Sequence, residues 1–240
     1  MEKRKLGAAS KSKIAPIVFG AWGIGGAPFW ENKDRQESVR AITAALDSGI
    51  NMIDTAPVYG FGLSEEIVGE AVQGRRNDVL IATKCGLRWK SESLKGLYHD
   101  LSPASVRQEV EASLSRLGTD RIDLYQIHWP DPNTSLDDTM GALLGLKAEG
   151  KIIDIGVSNF TCGLLDEALL RAPIACVQPK YNLLERDMES GLLPFCRERG
   201  IGVIAYSPLA SGALSGKYGM DSQFKDWRGR GNMGVFRKET

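Results

Sequence analysis

The sequence has few of the residues that build metal sites and disulfide frameworks. Its 240 residues include two histidines and four cysteines, and the cysteines are widely spaced, with no CxxC pair. A structural zinc site needs clustered thiolate or imidazole ligands, so this distribution argues against a bound metal. Scattered thiols in a chain of this length are typical of reduced residues in a cytoplasmic protein. The cysteine pattern therefore predicts no metal site and a cytoplasmic location.

Long apolar runs and an excess of charge are also missing. No apolar segment reaches the roughly 20 residues that a membrane-spanning helix needs. The basic start, MEKRK, leads into no apolar stretch of the kind that a secretory signal contains. The 30 Lys and Arg residues balance the 30 Asp and Glu residues, so no general attraction to polyanions arises. We therefore expect neither nucleic acid nor a membrane as a partner.

What the sequence does contain is a regular alternation of strand-like and helix-like segments. Seven short, apolar, β-branched runs show little polar alternation, which is typical of strands buried on both faces of a parallel sheet. The runs cover residues 17–19, 51–54, 79–83, 122–127, 153–157, 175–178 and 203–206. Helix-like segments lie between them, and the clearest start at Asp34, at Ser102 before Pro103, and at Ser135. Weaker helix patterns cover residues 65–72, 163–170 and 191–199.

Seven strand-then-helix steps in succession favour parallel strands joined by right-handed crossovers. A closed (β/α)8 TIM barrel is the leading architecture, and an open doubly wound sheet is second. We expect one domain over residues 1–240, with segments 5–6 and 13–14 as a hairpin that closes the bottom of the barrel. Residues 219–240 contain no strand pattern. The eighth strand and its helix are therefore expected to be missing, as the C-terminal part of the barrel.

Polar residues recur where the predicted strands end. The residues are Asp54, Lys84, His128, Ser158 with Asn159, Gln178, and Tyr206 with Ser207. In a parallel barrel all these ends open onto one face, which is where TIM-barrel enzymes have their sites. Each residue alone could also be an ordinary turn or rim residue. Their common position on six successive strands favours a functional site.

Six segments resemble the motif blocks of the aldo-keto reductase family in order and spacing. They are NMIDTAPVYG (51–60), IATKCG (81–86), LYQIHWPD (124–131), GVSNF (156–160), QPKYNLL (178–184) and AYSPLASGALSGKY (205–218). The resemblance spans most of the chain. It implies a (β/α)8 barrel that binds NADPH without a Rossmann domain. It also implies reduction of aldehydes or ketones to alcohols by hydride transfer.

The resemblance implies acid–base roles for four residues. Tyr59 matches the general acid that protonates the carbonyl oxygen, and Lys84 matches the residue that supports it, with Asp54 as its partner. His128 matches the residue that orients the carbonyl. An unperturbed tyrosine titrates near pH ~10. A nearby ammonium ion favours the phenolate, so we expect Lys84 to lower the pKa of Tyr59 towards the working range.

The resemblance also implies which residues bind the cofactor. Ser158, Asn159 and Gln178 match the residues that hydrogen-bond the nicotinamide carboxamide, and Tyr206 matches the aromatic residue that stacks on the ring. The loop after Tyr206 offers small residues and backbone N–H groups that suit a pyrophosphate. The further expected cofactor contacts are Gly20, Ala21, Trp22, Asp54, Ser207, Leu209, Gly212 and Lys217. The expected substrate pocket is lined by Trp22, Tyr59, His128 and Trp129.

Three functions remain open at this level. The first is a reductase that acts on a small-molecule aldehyde or ketone. The second is a cofactor-binding regulatory subunit with little turnover, against which His128 argues, because the channel subunits of the family depart from the pattern at this histidine. The third is a barrel lyase with Lys84 as a Schiff-base nucleophile. The sequence gives no signal for the oligomeric state, for the substrate, or for NADPH over NADH.

Overall fold

A short antiparallel hairpin opens the chain and lies against the amino-terminal ends of later strands. The computed structural model describes residues 1–31, 34–219 and 222–230. In it β1 (Arg4–Lys5) pairs with β2 (Lys13–Ile14). The N–H of Ala8 donates to the carbonyl of Gly200, just before the last strand, at 2.7 Å. The hairpin predicted from the sequence is confirmed, with its first strand shifted by one residue.

Seven parallel strands follow in one sheet. They are β3 (Phe19–Gly20), β4 (Met52–Asp54), β5 (Leu80–Cys85), β8 (Ile122–Ile127), β9 (Ile152–Ser158), β10 (Ile174–Gln178) and β11 (Gly202–Val203). Each inner strand pairs with the preceding and the following member of this series, and β3 and β11 lie at the two edges. Between β5 and β8 the chain inserts an antiparallel hairpin of β6 (Leu87–Trp89) and β7 (Leu97–His99). The sequence predicted only a long insertion there.

In the part of the chain that the structure describes, six α-helices connect the strands. They are α1 (Arg35–Asp47), α2 (Leu63–Ala71), α3 (Pro103–Leu117), α4 (Leu136–Ala148), α5 (Cys162–Leu169) and α6 (Leu192–Arg199). The three capping residues expected from the sequence start their helices: Asp34, Ser102 and Ser135 each accept a backbone N–H three residues further on. Within the described residues, no helix has the length and apolarity that crossing a membrane requires.

The two faces of the sheet differ in what covers them. The buried apolar residues of all six helices belong to one cluster with the outward side chains of the strands, such as Ile81 and Tyr125. A smaller cluster, which includes Met52, Ala82 and Leu124, fills the other face, together with Leu6 beside the hairpin. A doubly wound sheet would carry helices on both faces. The sheet is instead a curled half-barrel of the TIM-barrel fold, with the helices around it.

The two edge strands are shorter than the sequence predicts. The first strand was predicted at residues 17–19, but β3 begins at Phe19, and Ile17 is 58% exposed. The last strand was predicted at residues 203–206, but β11 ends at Val203, and Tyr206 makes an isolated bridge to Lys180. Among the residues that the structure describes, each edge strand has one hydrogen-bonded neighbour. No eighth parallel strand occurs in residues 1–31, 34–219 and 222–230, and residues 220–221 and 231–240 lie outside the described residues.

Candidate active site

Buried polar side chains form a layer above the inner apolar cluster, at the carboxyl ends of the strands. The layer contains Asp54 of β4, Lys84 of β5, Gln126 of β8, Ser158 of β9 and Gln178 of β10. Strand side chains alternate between faces, so each polar residue follows the previous inward position by two residues. That position is apolar on four of the strands, as at Met52 before Asp54, and is Gly156 on β9. Five neighbouring strands thus point polar groups into one space.

Lys84 and Asp54 form a buried ion pair at the centre of this layer. The Nζ atom of Lys84 lies 2.8 Å from Oδ2 of Asp54, and the lysine side chain is fully buried. Nζ also donates to the carbonyl of Thr55 at 2.9 Å and to the hydroxyl of Tyr59 at 3.3 Å. Burial alone would lower the pKa of Lys84, but the Asp54 carboxylate and then Tyr59 outweigh it and raise the pKa. Lys84 is therefore a cation.

Tyr59 lies in the tight turn that joins β4 to α2. This turn packs so closely on the segment after β3 that a Cβ on Gly60 (φ +64°) would lie 2.0 Å from the carbonyl oxygen of Gly25. Burial raises the pKa of Tyr59 more than the Lys84 cation lowers it, so the pKa is above its usual value. The expectation that Lys84 would lower the pKa of Tyr59 is wrong in its net direction. Desolvation of the phenolate is the larger effect.

His128 follows β8 and faces Tyr59. Its backbone N–H donates to the carbonyl of Cys85 at 2.9 Å. Its ring meets the ring of Tyr59 edge to face, with the centroids 5.9 Å apart. Burial lowers the pKa of His128 well below its usual value, and the Lys84 cation and His99 lower it further. The imidazole is therefore neutral at neutral pH and has one N–H to donate.

The residues expected to bind the nicotinamide form one hydrogen-bonded network. Asn159 has a left-handed backbone (φ 60°), and its amide donates to the carbonyl of His128 and to Oγ of Ser158, both at 3.0 Å. Its Oδ1 accepts from the hydroxyl of Tyr206 at 3.0 Å. Ser158 Oγ donates to the backbone carbonyl of Gln178 at 2.7 Å. The structure thus brings these four residues together beside His128.

The loop after Tyr206 has an irregular backbone. Ser207, Ala210, Ser211 and Gly212 all have positive φ angles, of 52°, 47°, 53° and 101°. Such conformations create concave runs of backbone N–H groups. Leu209 is 55% exposed on this loop. The Nζ atom of Lys217 lies over the ring of Tyr218, 5.7 Å from its centroid.

The segment after the first barrel strand lies next to Tyr59. Gly20 pairs with Asp54 across the sheet, and the N–H of Ala21 donates to the Asp54 carbonyl at 2.8 Å. The ring of Trp22 lies 6.2 Å from that of Tyr59 between centroids. Trp129, the other tryptophan expected in the substrate pocket, is 40% exposed after His128.

Sequence reasoning missed two residues of this region. Gln126 donates from Nε2 to Oδ1 of Asp54 at 3.1 Å. The alternation of β8 could have identified it, since residues 126 and 128 share a face. Trp227 packs on Trp22 with the ring centroids 4.9 Å apart, and its backbone N–H donates to the carbonyl of Phe29 at 3.0 Å. It lies where the sequence has no periodic pattern, so no signal pointed to it.

The half-barrel with a buried Asp–Lys–Tyr group at its carboxyl face defines the chain as a TIM-barrel protein of the aldo-keto reductase type. The sequence model of the Aldo/keto reductase family matches residues 16–238. The chain belongs to this family.

Individual relatives agree with this assignment. Aldo-keto reductase YhdN of Bacillus subtilis is 46% identical over 203 residues, which are 84% of this chain and 60% of that protein. The NADH-specific methylglyoxal reductase of Escherichia coli is 43% identical over 228 residues, with 90% and 70% coverage. The solved glycerol dehydrogenase AKR11B4 of Gluconobacter oxydans superposes with a TM-score of 0.87 at 43% identity, over 97% of this chain and 71% of that one. The chain thus spans about three fifths to seven tenths of its relatives' lengths.

Proposed function

We propose that this chain carries the active site of a nicotinamide-dependent oxidoreductase that reduces aldehyde or ketone groups to alcohols. One observation carries the proposal. The ammonium group of Lys84 can only donate hydrogen bonds, so the Tyr59 oxygen, 3.3 Å away, accepts from it. The phenol proton of Tyr59 is then directed away from Lys84. Tyr59 is thereby prepared to donate that proton to a carbonyl oxygen bound in the mouth of the barrel.

Four residues share the acid–base chemistry in this proposal. The pKa of Tyr59 is above its usual value, so the phenol is protonated at neutral pH and holds the proton that a general acid donates. After proton donation the phenolate lies against the Lys84 cation, whose charge Asp54 maintains. The neutral imidazole of His128, edge-on to the Tyr59 ring, supplies a second donor for the substrate oxygen. Solvent then returns a proton to Tyr59.

The polar network beside His128 fits a nicotinamide carboxamide. Gln178 Oε1 accepts no hydrogen bond from the described residues, and one lone pair on Asn159 Oδ1 remains after the bond from Tyr206. These acceptors suit an amide NH2 group. Tyr206 is partly exposed beside this network, where its ring can stack on the nicotinamide. When bound, the reduced nicotinamide supplies the hydride to the carbonyl carbon.

NADPH is the cofactor that we propose, from the family resemblance, and a small aldehyde or ketone is the substrate. The E. coli relative is named as NADH-specific and as a methylglyoxal reductase, so both dinucleotides and this 2-oxoaldehyde belong in the test. The Gluconobacter relative is named a glycerol dehydrogenase, which adds the reverse reaction with a polyol. We also propose that the protein acts in the cytoplasm.

The test is oxidation of NADPH and of NADH, followed at 340 nm, with a panel of aldehydes, ketones and methylglyoxal. Turnover with at least one carbonyl supports the proposal. Dinucleotide binding without turnover across the panel would instead support a cofactor-binding regulatory subunit. Carbon–carbon bond cleavage without nicotinamide, with a borohydride-trapped adduct on Lys84, would support a lyase. Comparison with a longer form that matches the full length of the relatives completes the experiment.

A further inference from the structure

Gln126 is a fully buried polar residue to which the proposed chemistry gives no role. It lies on β8 in register with Lys84 on one side and Gly156 on the other. Its side chain points into the barrel and donates from Nε2 to Oδ1 of Asp54 at 3.1 Å. The bond passes across β5, which lies between the two strands in the sheet. Gln126 therefore contacts the ion pair without belonging to it.

The neighbouring strand leaves room for this side chain. A Cβ placed on Gly156 would lie 3.0 Å from Cγ of Gln126 and 3.1 Å from Sγ of Cys176. Contacts this short require the neighbours to move, so any side chain at position 156 would crowd the Gln126 side chain. The absence of a side chain on β9 thus allows a long polar residue inside the barrel.

For protein stability alone, the amide of Gln126 is less favourable than an apolar side chain of similar volume. Its Oε1 is buried and has no hydrogen-bond partner among the described residues. A carboxylate only accepts hydrogen bonds, so turning the amide over would place two oxygens against each other. A buried acceptor without a donor is unfavourable, and an apolar side chain of similar volume would avoid it. The contribution of the amide must therefore come from its bond to Asp54.

We propose that Gln126 is a positioning residue that fixes the rotation of the Asp54 carboxylate for the acid–base group. With Oδ1 held by Gln126, Oδ2 faces Lys84, and Lys84 in turn holds the oxygen of Tyr59. Gln178 also donates to Oδ1, at 2.9 Å, and its Oε1 is proposed to bind the cofactor. No contact with the cofactor is proposed for Gln126. This inference rests on the proposed function only for its kinetic consequence.

Two variants and one control test the inference. Gln126→Met keeps the length and volume of the side chain and removes the donor. Gln126→Glu keeps the shape, and its neutral acid can still donate to Asp54. Leu124→Met is the matched control, because Leu124 is buried on the inner side of the same strand and its side chain has no group that can hydrogen-bond to the ion pair. Thermal unfolding of all three establishes that each variant is folded.

The first measurement is structural and does not depend on activity. In a crystal structure of Gln126→Met, we expect the Asp54 carboxylate to turn and the distance from Lys84 Nζ to the Tyr59 hydroxyl to exceed 3.5 Å. In Leu124→Met the group should be unchanged. An unmoved carboxylate and an unmoved Lys84 in Gln126→Met would overturn the inference, whether or not the chain reduces carbonyls.

The second measurement is the single-turnover rate of hydride transfer across pH. We expect Gln126→Met to slow it about 10- to 100-fold with less than a threefold change in NADPH affinity. Two carboxyl groups at this distance share one proton, so Gln126→Glu should approach the parent rate at low pH and slow as that proton is lost. A parent-like rate and pH profile in both variants overturns the inference. If the parent chain gives no turnover, the proposed function fails and the crystal structures alone decide the role of Gln126.

Discussion

The Nε2 atom of Gln178 lies 2.9 Å from Oδ1 of Asp54, although three strands separate their strands in the sheet. In a flat sheet, four steps of about 4.8 Å would place the two strands about 19 Å apart. The hydrogen bond is possible only because the sheet curls. The curl therefore joins the residue that we propose to contact the cofactor to the carboxylate that keeps Lys84 charged.

The first prediction concerns the free energy of unfolding that depends on the buried ion pair. Removing either partner leaves an uncompensated charge, so Lys84→Met and Asp54→Asn should each destabilise the protein by about 3–5 kcal/mol. The double variant leaves neither charge, and its loss should be clearly smaller than the sum of the two single losses. Urea unfolding of the four proteins measures the coupling.

The control for this cycle is the exposed pair of Arg35 and Glu70, whose Nε and Oε2 atoms lie 2.8 Å apart. Arg35→Gln should change the unfolding midpoint little, because solvent screens exposed pairs. If the effects of Lys84→Met and Asp54→Asn on the free energy of unfolding were strictly additive, the two charges would not stabilise each other, and this prediction would be contradicted.

The second prediction separates proton donation from binding. Tyr59→Phe removes the phenol proton and keeps the ring, so the single-turnover reduction rate should fall about 10²- to 10⁴-fold. Dinucleotide affinity, measured by fluorescence titration, should change little. Tyr98→Phe, on β7 of the hairpin, removes a hydroxyl that makes no hydrogen bond to Asp54, Lys84 or Tyr59 and should leave the rate intact. A Tyr59→Phe rate within threefold of the parent would show that another group donates the proton.

Much of the fold and site was predictable because the decisive signals are local. N-cap residues such as Asp34 and Ser102 mark helix starts through local hydrogen bonds that do not depend on the tertiary fold. Buried parallel strands give continuous apolar runs, so the inner strands matched the predictions more closely than the edge strands did. The polar strand ends, from Asp54 to Tyr206, came together because parallel strands share one open face.

What sequence reasoning missed depends on contacts between distant segments. Trp227 packs on Trp22 across some 200 residues, and no periodicity encodes that contact. The net pKa shift of Tyr59 depends on whether burial or Lys84 dominates, and only the packed structure decides this. Gln126 was visible by alternation, but its bond to Asp54 requires the curl of the sheet.

The third prediction concerns the hydroxyl of Tyr206. Tyr206→Phe keeps the ring for stacking and removes the donor to Asn159 Oδ1, which leaves the Asn159 amide less firmly held. Loss of one hydrogen bond of about 1 kcal/mol predicts roughly fivefold weaker dinucleotide binding. Tyr181→Phe, which removes a hydroxyl bonded to Glu189 at 2.6 Å, is the matched control and should bind normally. Equal affinity in both variants would exclude this role for the Tyr206 hydroxyl.

The fourth prediction is a pH dependence of stability from His128. Its pKa in the folded protein lies well below the unfolded value, mainly through burial. Below about pH 6.5 the imidazole takes up a proton in the unfolded state more readily than in the folded state. The contribution of His128 to protein stability is therefore lost as the pH falls below this value. His128→Asn should lose less stability than the parent between pH 7 and pH 5 in urea unfolding. Identical pH profiles would mean that His128 ionises equally in both states.

The fifth prediction concerns Glu109 on α3, where the sign is opposite. Burial raises the pKa of Glu109 to about 7, although its Oε1 accepts the N–H of Gly86 at 3.0 Å. The folded state thus binds more protons than the unfolded state between about pH 4.5 and 7, and stability is lost as the pH rises through 7. Glu109→Gln keeps the acceptor for Gly86 and removes the ionisation. Between pH 5 and pH 8, the free energy of unfolding of Glu109→Gln should increase by about 3 kcal/mol relative to that of the parent.

His128 and Glu109 change the stability of the parent protein with pH in opposite directions. Over pH 5–7 the contribution of His128 to protein stability decreases as the pH falls, and that of Glu109 decreases as the pH rises. The free energy of unfolding of the parent can therefore be nearly independent of pH while both groups titrate. Only the differences between each variant and the parent separate the two contributions. Glu111→Gln, exposed on the same helix as Glu109, should give the parent curve. A Glu109→Gln curve parallel to that of Glu111→Gln would place the ionisation of Glu109 outside this range and refute the fifth prediction.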